Sequence, residues 1–318
     1  MREIILHGGI GSRMKPLSNE IPKGFIPVLG KSVVERIVDQ SNGVTGEKFI
    51  IVPKGDIKIG RLIEEKNMPL QVLEARSTHM ELVTEVLEQR DEPMIMWWGD
   101  TIASLSLPEM IRQHEESQTE ASIALWETTM LRELKHWGSI TLNENGVTVG
   151  HPVPDTSTKG KIKAGIFIFN PSVAKIFRRV STESWDMSRI LNSMTFGKQF
   201  LGFIFHGYRI CLDYGYDLIR ASAMIRECTD YHNPQIDKGV SVSGRTELGN
   251  NVTVSEGCEI QDGVHISDSI LLPNTRVQKN ATIVSSVIGP NTSISEGSLI
   301  RRKMITQFEA ADISECPY

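Results

Sequence analysis

The chain of 318 residues is too long for one small domain and suits two of the usual size, roughly 100 to 200 residues each. Its 40% hydrophobic and 23% charged content is that of an ordinary globular protein, and no apolar run approaches the roughly 20 residues that cross a bilayer, so no membrane partner is expected. A net charge of −5 argues against the basic face through which proteins release counterions from nucleic acid, so no nucleic-acid partner is expected.

In chain order, a short apolar strand at residues 4–6 runs into Gly8-Gly9-Ile10-Gly11-Ser12-Arg13-Met14 and then Pro22-Lys23-Gly24-Phe25-Ile26-Pro27-Val28-Leu29-Gly30-Lys31. Glycines let the backbone bend tightly and bring N–H groups within reach of a base or phosphate that any Cβ would push away. Arg13 adds a planar fork for phosphate oxygens and Lys23 a point charge, a pair suited to a triphosphate. Apolar strands and helical patterns then alternate: 32–40, 48–52, 57–65, 70–73, 80–89 and 94–97. That alternation predicts a mostly parallel sheet with helices on both faces, whose ligand sits beyond the carboxyl ends of the strands. The glycine turn and the acid after Trp97-Trp98 both fall there. The two tryptophans read as core, and His114 reads as a helix surface residue without a metal role.

Residues 228–239, with Asn233-Pro234, read as a linker. Beyond it Val242, Leu248, Val254, Ile260, Ile266 and Leu272 recur every six residues, followed after slips of one by Val277, Ile283, Ile288, Ile294 and Ile300. Turn residues such as Asn250-Asn251, Glu256-Gly257, Asp262-Gly263 and Pro273-Asn274 fill the gaps. The period resembles the hexapeptide repeat of a left-handed parallel β-helix, three hexads to a coil. The expected organisation is an α/β domain over 1–230, a short left-handed parallel β-helix over 231–300 and a tail over 301–318 that loses the repeat. Cys211, Cys228, Cys258 and Cys316 have no metal-binding spacing and read as free thiols. With no signal-peptide pattern at the start, a cytoplasmic location is expected.

The run GGIGSRMKPLSNEIPKGFIPVLGKS resembles the signature of sugar-1-phosphate nucleotidyltransferases, GGxGTRLxPLTxxxPKxxxPVxGKP, with Ser12, Met14, Ser18 and Ser32 as departures. The resemblance implies a Rossmann-like nucleotidyltransferase domain with a mixed, mostly parallel sheet. It also implies transfer of a nucleotidyl group from an NTP to a sugar 1-phosphate, with release of pyrophosphate and a Mg2+ cofactor. On that pattern Arg13, Lys23 and Asp100 are catalytic. Leu6, Gly8, Gly9, Gly11, Ser12, Arg13, Lys23, Thr78 and Gly99 bind nucleotide. Gly138, His151, Lys163 and Gly165 bind the sugar phosphate. Asp100, at the end of an apolar strand, and Asp213, in a stretch that resembles GxWxDIGTPxDY, hold the metal.

The chain departs from the family on the sugar side, where Val149-Gly150-His151-Pro152 stands in place of the usual Glu-Lys-Pro. A protonated His151, or Lys159, Lys161 or Lys163, is the candidate replacement. Near the base, where Gln and Gly-Thr-Ala are usual, Glu74 and Thr78 are the candidate contacts. The missing pair leaves open a regulatory paralogue that binds nucleotide-sugar without making it. An acyltransferase on the β-helix is the remaining alternative, with His265 alone of the histidines inside the repeats. The β-helix is expected to join copies of the chain into a homo-oligomer, since an open coil exposes unpaired backbone.

Overall fold

The computed structural model describes residues 1–9, 11–75, 79–146, 148–153, 159–180 and 200–314, the side chains of 148–153 and 180 excepted. Thr78 and Cys316 lie outside the described residues, as does the His151 side chain. The chain forms two compact units, one of Met1–Gly8 with Val34–Arg209, the other of Gly9–Val33 with Ile210–Pro317. No described helix is long and apolar enough to cross a membrane.

The first unit is built on β1 (Arg2–Leu6), β2 (Lys48–Pro53), β3 (Gln71–Ala75), β4 (Met94–Trp98), β5 (Thr101–Ala103), β6 (Ala121–Thr128), β7 (Ser139–Leu142), β8 (Thr148–Val153), β9 (Gly160–Phe169) and β10 (Phe200–Phe205). Its main sheet has seven strands in the order β10-β6-β9-β4-β1-β2-β3. All neighbours pair in parallel except β9, which runs antiparallel to both β4 and β6. Among the described residues the α-helices are α1 (Leu17–Glu20), α2 (Val33–Ser41), α3 (Ile57–Glu65), α4 (His79–Glu88), α5 (Leu107–Ser117), α6 (Leu131–Trp137), α7 (Ala174–Val180) and α8 (Gly215–Glu227). The elements expected from the alternation are therefore present, each within a residue or two of its predicted bounds.

The central strands are apolar throughout because both faces are covered: Ile4, Ile5, Met94, Ile95 and Met96 are all fully buried. One charged pair interrupts this core. Glu3 on β1 lies opposite Lys48 on β2, and the ammonium reaches the carboxylate at 2.9 Å while also donating to Ser41. His114, expected on a surface, is buried on α5 between Ser122 and Asn170 and serves the core. Trp97 is core as expected, whereas Trp98 is only partly buried.

In the second unit three parallel ladders make a three-sided β-helix. One ladder stacks Gln235–Ile236, Val252–Val254, Ser269–Leu271, Val287–Ile288 and Lys303–Ile305. The coil thus begins inside the expected linker. It also continues past residue 300, where Ile305 stacks on Ile288 in the coil's inward column, while Met304 beside it faces outward and is buried. Ala310–Asp312 then pairs antiparallel with Lys303–Ile305.

The slip in the six-residue period has a local cause. Leu271, not Leu272, stacks on Val254, because the corner at Asp268 is one residue short. Asp268, Ser285 and Arg302 stand at the three short corners, and each has a positive φ of 46° to 52°. The other corners use Gly257, Asn274 and Asn291, or Gly263, Asn280 and Gly297, again with positive φ. Glycine and asparagine tolerate this left-handed conformation best. At Gly257 and Gly263 a Cβ would also come within 2.3 Å of the Oδ1 of Asn274 and Asn280 in the next coil.

Candidate active site

In the first unit the strand order reverses between β1 and β4: the chain goes from β1 to β2 and β3 on one side, then returns to β4 on the other. The carboxyl ends of two such strands diverge into a crevice suited to ligand. Leu6 pairs with Trp98 at that end, and the Gly99 N–H donates to the Leu6 carbonyl at 2.9 Å. A Cβ on Gly99 would lie 2.8 Å from that carbonyl oxygen, so only glycine lets the two strand ends run this close. Asp100 follows, half-buried, accepting from the Thr101 hydroxyl at 3.4 Å. Gly8 is also closely approached: a Cβ there would lie 2.7 Å from His79 Nε2 at the start of α4, so the imidazole would have to shift. Burial lowers the His79 pKa, opposed by a hydrogen bond to the His7 backbone. Glu74 is exposed and accepts from the Gly55 N–H at 3.4 Å.

Three of the residues expected at the sugar phosphate, Gly138, Lys163 and Gly165, lie beside an aromatic pair that the sequence does not signal as functional. Trp98 and Trp137 approach to 6.4 Å between ring centroids. Gly138, with φ 71°, ends α6 next to Trp137. Between Phe167 and Lys163 the register of β9 on β6 shifts, which marks a bulge around Gly165. Gly165 has φ 74° and lies so close to Trp98 that a Cβ would come within 2.5 Å of the ring. The bulge aims Lys163 over Trp98, its ammonium 5.5 Å from the ring centroid. Lys159 and Lys161 turn elsewhere, toward Glu127 at 2.8 and 3.9 Å, and Lys159 holds that carboxyl below its ordinary range. Of the three candidate lysines, Lys163 is the one placed with Gly165. His151 lies on β8.

Arg209 explains one departure from the family pattern. Set against GxWxDIGTPxDY without gaps, it stands at the tryptophan, and Cys211 at the first aspartate. Arg209 is fully buried, lies 4.7 Å over the Trp137 ring and pairs with Glu133 at 3.3 Å. Trp137 thus supplies an aromatic surface for the residue that replaces one, and Glu133 balances its charge.

The second unit contains the rest of the glycine loop. Gly11, with φ 64°, leads into a 3-10 turn at Ser12–Met14, and the Ser18 hydroxyl donates to its carbonyl at 2.8 Å. Gly9, Ser12 and Arg13 are exposed. The Arg13 guanidinium lies 5.1 Å over the Tyr214 ring. Lys23, by contrast, is buried, and its ammonium meets the Asp213 carboxylate at 2.9 Å. Asp217 orders the segment beyond: its carboxylate accepts from the N–H groups of Asp213 at 3.1 Å and Tyr214 at 2.8 Å, and from Arg220 at 3.0 Å. Of the motif's two cations, Arg13 is thus exposed and Lys23 is buried and paired.

The donor chemistry fits the expected metal. Asp100 and Asp213 offer the hard oxygen ligands that Mg2+ takes one or two of, while the buried thiol of Cys211 is a soft donor unsuited to it.

Residues 2–207 match the family described as Nucleotidyl transferase, and residues 231–313 match the GMPPB C-terminal domain. Among curated proteins, the probable mannose-1-phosphate guanylyltransferase 3 of Oryza sativa subsp. japonica is 23% identical, covering 96% of this chain and 90% of the relative. The mannose-1-phosphate guanylyltransferase 1 of Arabidopsis thaliana is 24% identical with the same coverage. The glucose-1-phosphate thymidylyltransferase of Streptomyces griseus is 22% identical, covering 94% of this chain and 84% of the relative.

Proposed function

Because the chain belongs to the nucleotidyl transferase family, we propose that it transfers a nucleotidyl group from an NTP to a sugar 1-phosphate and forms an NDP-sugar. A sugar-phosphate oxygen attacks the α-phosphorus, the bond to the bridging oxygen breaks, and pyrophosphate leaves with that electron pair. A phosphate monoester is already a nucleophile, so the protein's task is to align two anions and stabilise the charge that builds on the phosphorus oxygens. Arg13 takes that charge and the leaving pyrophosphate. Lys23 exchanges its Asp213 partner for a phosphate oxygen. Lys163 and Gly165, beside Trp98, receive the sugar phosphate, with Gly138 and His151. Leu6, Gly8, Gly9, Gly11, Ser12 and Gly99 line the nucleotide, and Thr78 is kept as its candidate base contact. Mg2+, when bound by Asp100 and Asp213, supplies charge neutralisation on the phosphates.

The observation that carries this reading is the Gly11–Lys23 turn, with an exposed guanidinium and a buried ammonium in the family's own loop. The test is pyrophosphate release with Mg2+ across nucleoside triphosphates and sugar 1-phosphates. GTP with mannose 1-phosphate comes first, because of the C-terminal match and the plant relatives. Release dependent on one pair identifies both substrates, and Asp100→Asn should then abolish it. A second reading, binding of nucleotide-sugar without turnover, is favoured by Cys211 at the pattern's aspartate. Silence across the panel with nucleotide-sugar still bound would select it. The reading also places a second copy of the chain against the β-helix, where Val242 and Leu299 are exposed, and light scattering on the purified protein tests this. A cytoplasmic location is part of the same reading.

A further inference from the structure

The turn that carries Arg13 is tied within its own segment at Gly11, whose carbonyl accepts from the Ser18 hydroxyl at 2.8 Å, and by the buried Met14. It spans three residues, Ser12–Met14, and the Met14 N–H bonds the Gly11 carbonyl at 2.8 Å. A further anchor, at Arg13 itself, comes from the end of the β-helix. The Ser314 hydroxyl donates to the carbonyl oxygen of Arg13 itself. The Ser314 hydroxyl oxygen in turn accepts from the Gly215 N–H at 3.0 Å, and the Ser314 carbonyl accepts from the Tyr216 N–H at 2.9 Å. A hydroxyl that donates and accepts at once bridges a carbonyl and an amide, which no apolar side chain can do.

The partners on the other side of that bridge matter. Gly215 and Tyr216 open α8, whose preceding residue is Tyr214, the ring beneath the Arg13 guanidinium. Ser314 therefore sets the spacing between the Arg13 main chain and the surface on which its side chain rests. Ser314 is itself anchored. Ile313 before it is buried and donates its N–H to the Arg302 carbonyl at 2.8 Å, at a corner of the coil. Gly215 packs so closely here that a Cβ would meet Met304 at 2.8 Å and Ile313 at 3.0 Å. The start of α8 has its own cap in Asp217, so Ser314 is not needed for that purpose alone.

We propose that Ser314 is a positioning residue for Arg13, through which the last strands of the β-helix hold the triphosphate end of the site in register. The proposal rests on the role given to Arg13 above. Ser314→Ala should lower kcat about tenfold while the KM for the sugar phosphate stays put, the size expected for one lost hydrogen bond that misplaces a reacting group. Ser314→Thr keeps the hydroxyl and should restore kcat to within about twofold of the wild type. In an Arg13→Lys background, Ser314→Ala should cost little more, because it acts through the residue already changed. An unchanged kcat in Ser314→Ala, a threonine variant as slow as the alanine one, or losses that multiply in the double variant would each overturn the proposal.

A wild-type protein silent in the assay would sink the transferase reading instead. The coupling is then read by titrating inorganic triphosphate in a calorimeter. Ser314→Ala must weaken its affinity when Arg13 is present and leave it unchanged in Arg13→Ala. Equal effects in both backgrounds would refute the coupling.

Discussion

The β-helix and the seven-stranded sheet bring distant residues together by opposite chain geometries. In the coil side chains repeatedly meet partners 17 or 18 residues away, as Asn274 meets Asn291, His265 meets Glu247 and Ser285 meets Asp268. In the sheet unit each buried polar pair is unique and spans an arbitrary stretch of chain: Lys48 to Glu3 over 45 residues, Arg209 to Glu133 over 76. Coil stability is a sum of similar neighbour terms, so one lost contact is diluted among its copies. A lost contact in the sheet has no copy. The groups that need one fixed geometry, such as the Leu6–Gly99 junction, accordingly lie where the chain does not repeat.

The sharpest test of this contrast is the Glu3–Lys48 pair. Lys48→Met leaves a fully buried carboxylate without its cation and should cost about 3–5 kcal/mol in denaturant unfolding. Adding Glu3→Met should recover most of that loss, because an apolar pair of similar volume carries no desolvation penalty. A single variant of near wild-type stability would break the comparison, since the sheet would then absorb a unique loss as the coil does.

Gly99→Ala comes next. The new Cβ meets a backbone oxygen that belongs to β1 and cannot swing away, so the β4 end must move. Overpacking of this kind costs about 1–3 kcal/mol, and a displaced Asp100 should slow pyrophosphate release by about 100-fold. Wild-type turnover would place the chemistry away from this junction. A coil corner should give less. Asn274→Ala puts an alanine at φ 60° and should cost about 1–2 kcal/mol, most of it recovered by Asn274→Gly. If the corner variant lost as much stability as Lys48→Met, the coil could not be treated as a sum of small terms.

The same contrast decides what a reader of the sequence can see. Val254, Ile260 and Ile266 announce the coil because each inward residue repeats the last, and the alternation at 32–97 announces the sheet. Yet the slip was legible only approximately: Leu271 and Leu272 are adjacent, identical and equally buried, and the backbone at Asp268 is what selects the first. At the candidate site the glycines, Arg13 and Lys23 carry a recognisable motif. Their partners do not, because no spacing rule connects Lys23 to Asp213 across 190 residues or Ser314 to Arg13 across 301. By sequence Trp98 reads as core with Trp97 for a related reason. Strand alternation turns one tryptophan inward and the other toward Lys163 and Gly165, and hydrophobicity alone treats them alike.

The smallest expected effect is a pH dependence confined to the sheet unit. Asn170 Nδ2 donates to the Thr119 carbonyl at 2.8 Å, which turns its Oδ1 toward His114 as an acceptor. His114 therefore carries its proton on Nε2, and Nδ1 accepts from the Ser122 hydroxyl at 2.8 Å. Burial pushes the His114 pKa below the ordinary imidazole value of about 6.5, as it does for His79, and a second proton on Nδ1 would force the Ser122 hydroxyl to turn and accept. The unfolded chain then binds protons that the folded one refuses, so stability is fully present above about pH 6.5 and is lost as the pH falls toward the depressed values. The lowered carboxyls, among them Glu88 and Glu127, titrate from below the ordinary carboxylate value of about 4.3, which leaves the interval between about pH 7.5 and 5.5 to the histidines. Urea midpoints across that interval should fall for the wild type and fall less for His114→Gln. A variant as pH-sensitive as the parent would show that His114 titrates alike in the folded and unfolded chain, and would leave His79, beside Gly8, as the group responsible.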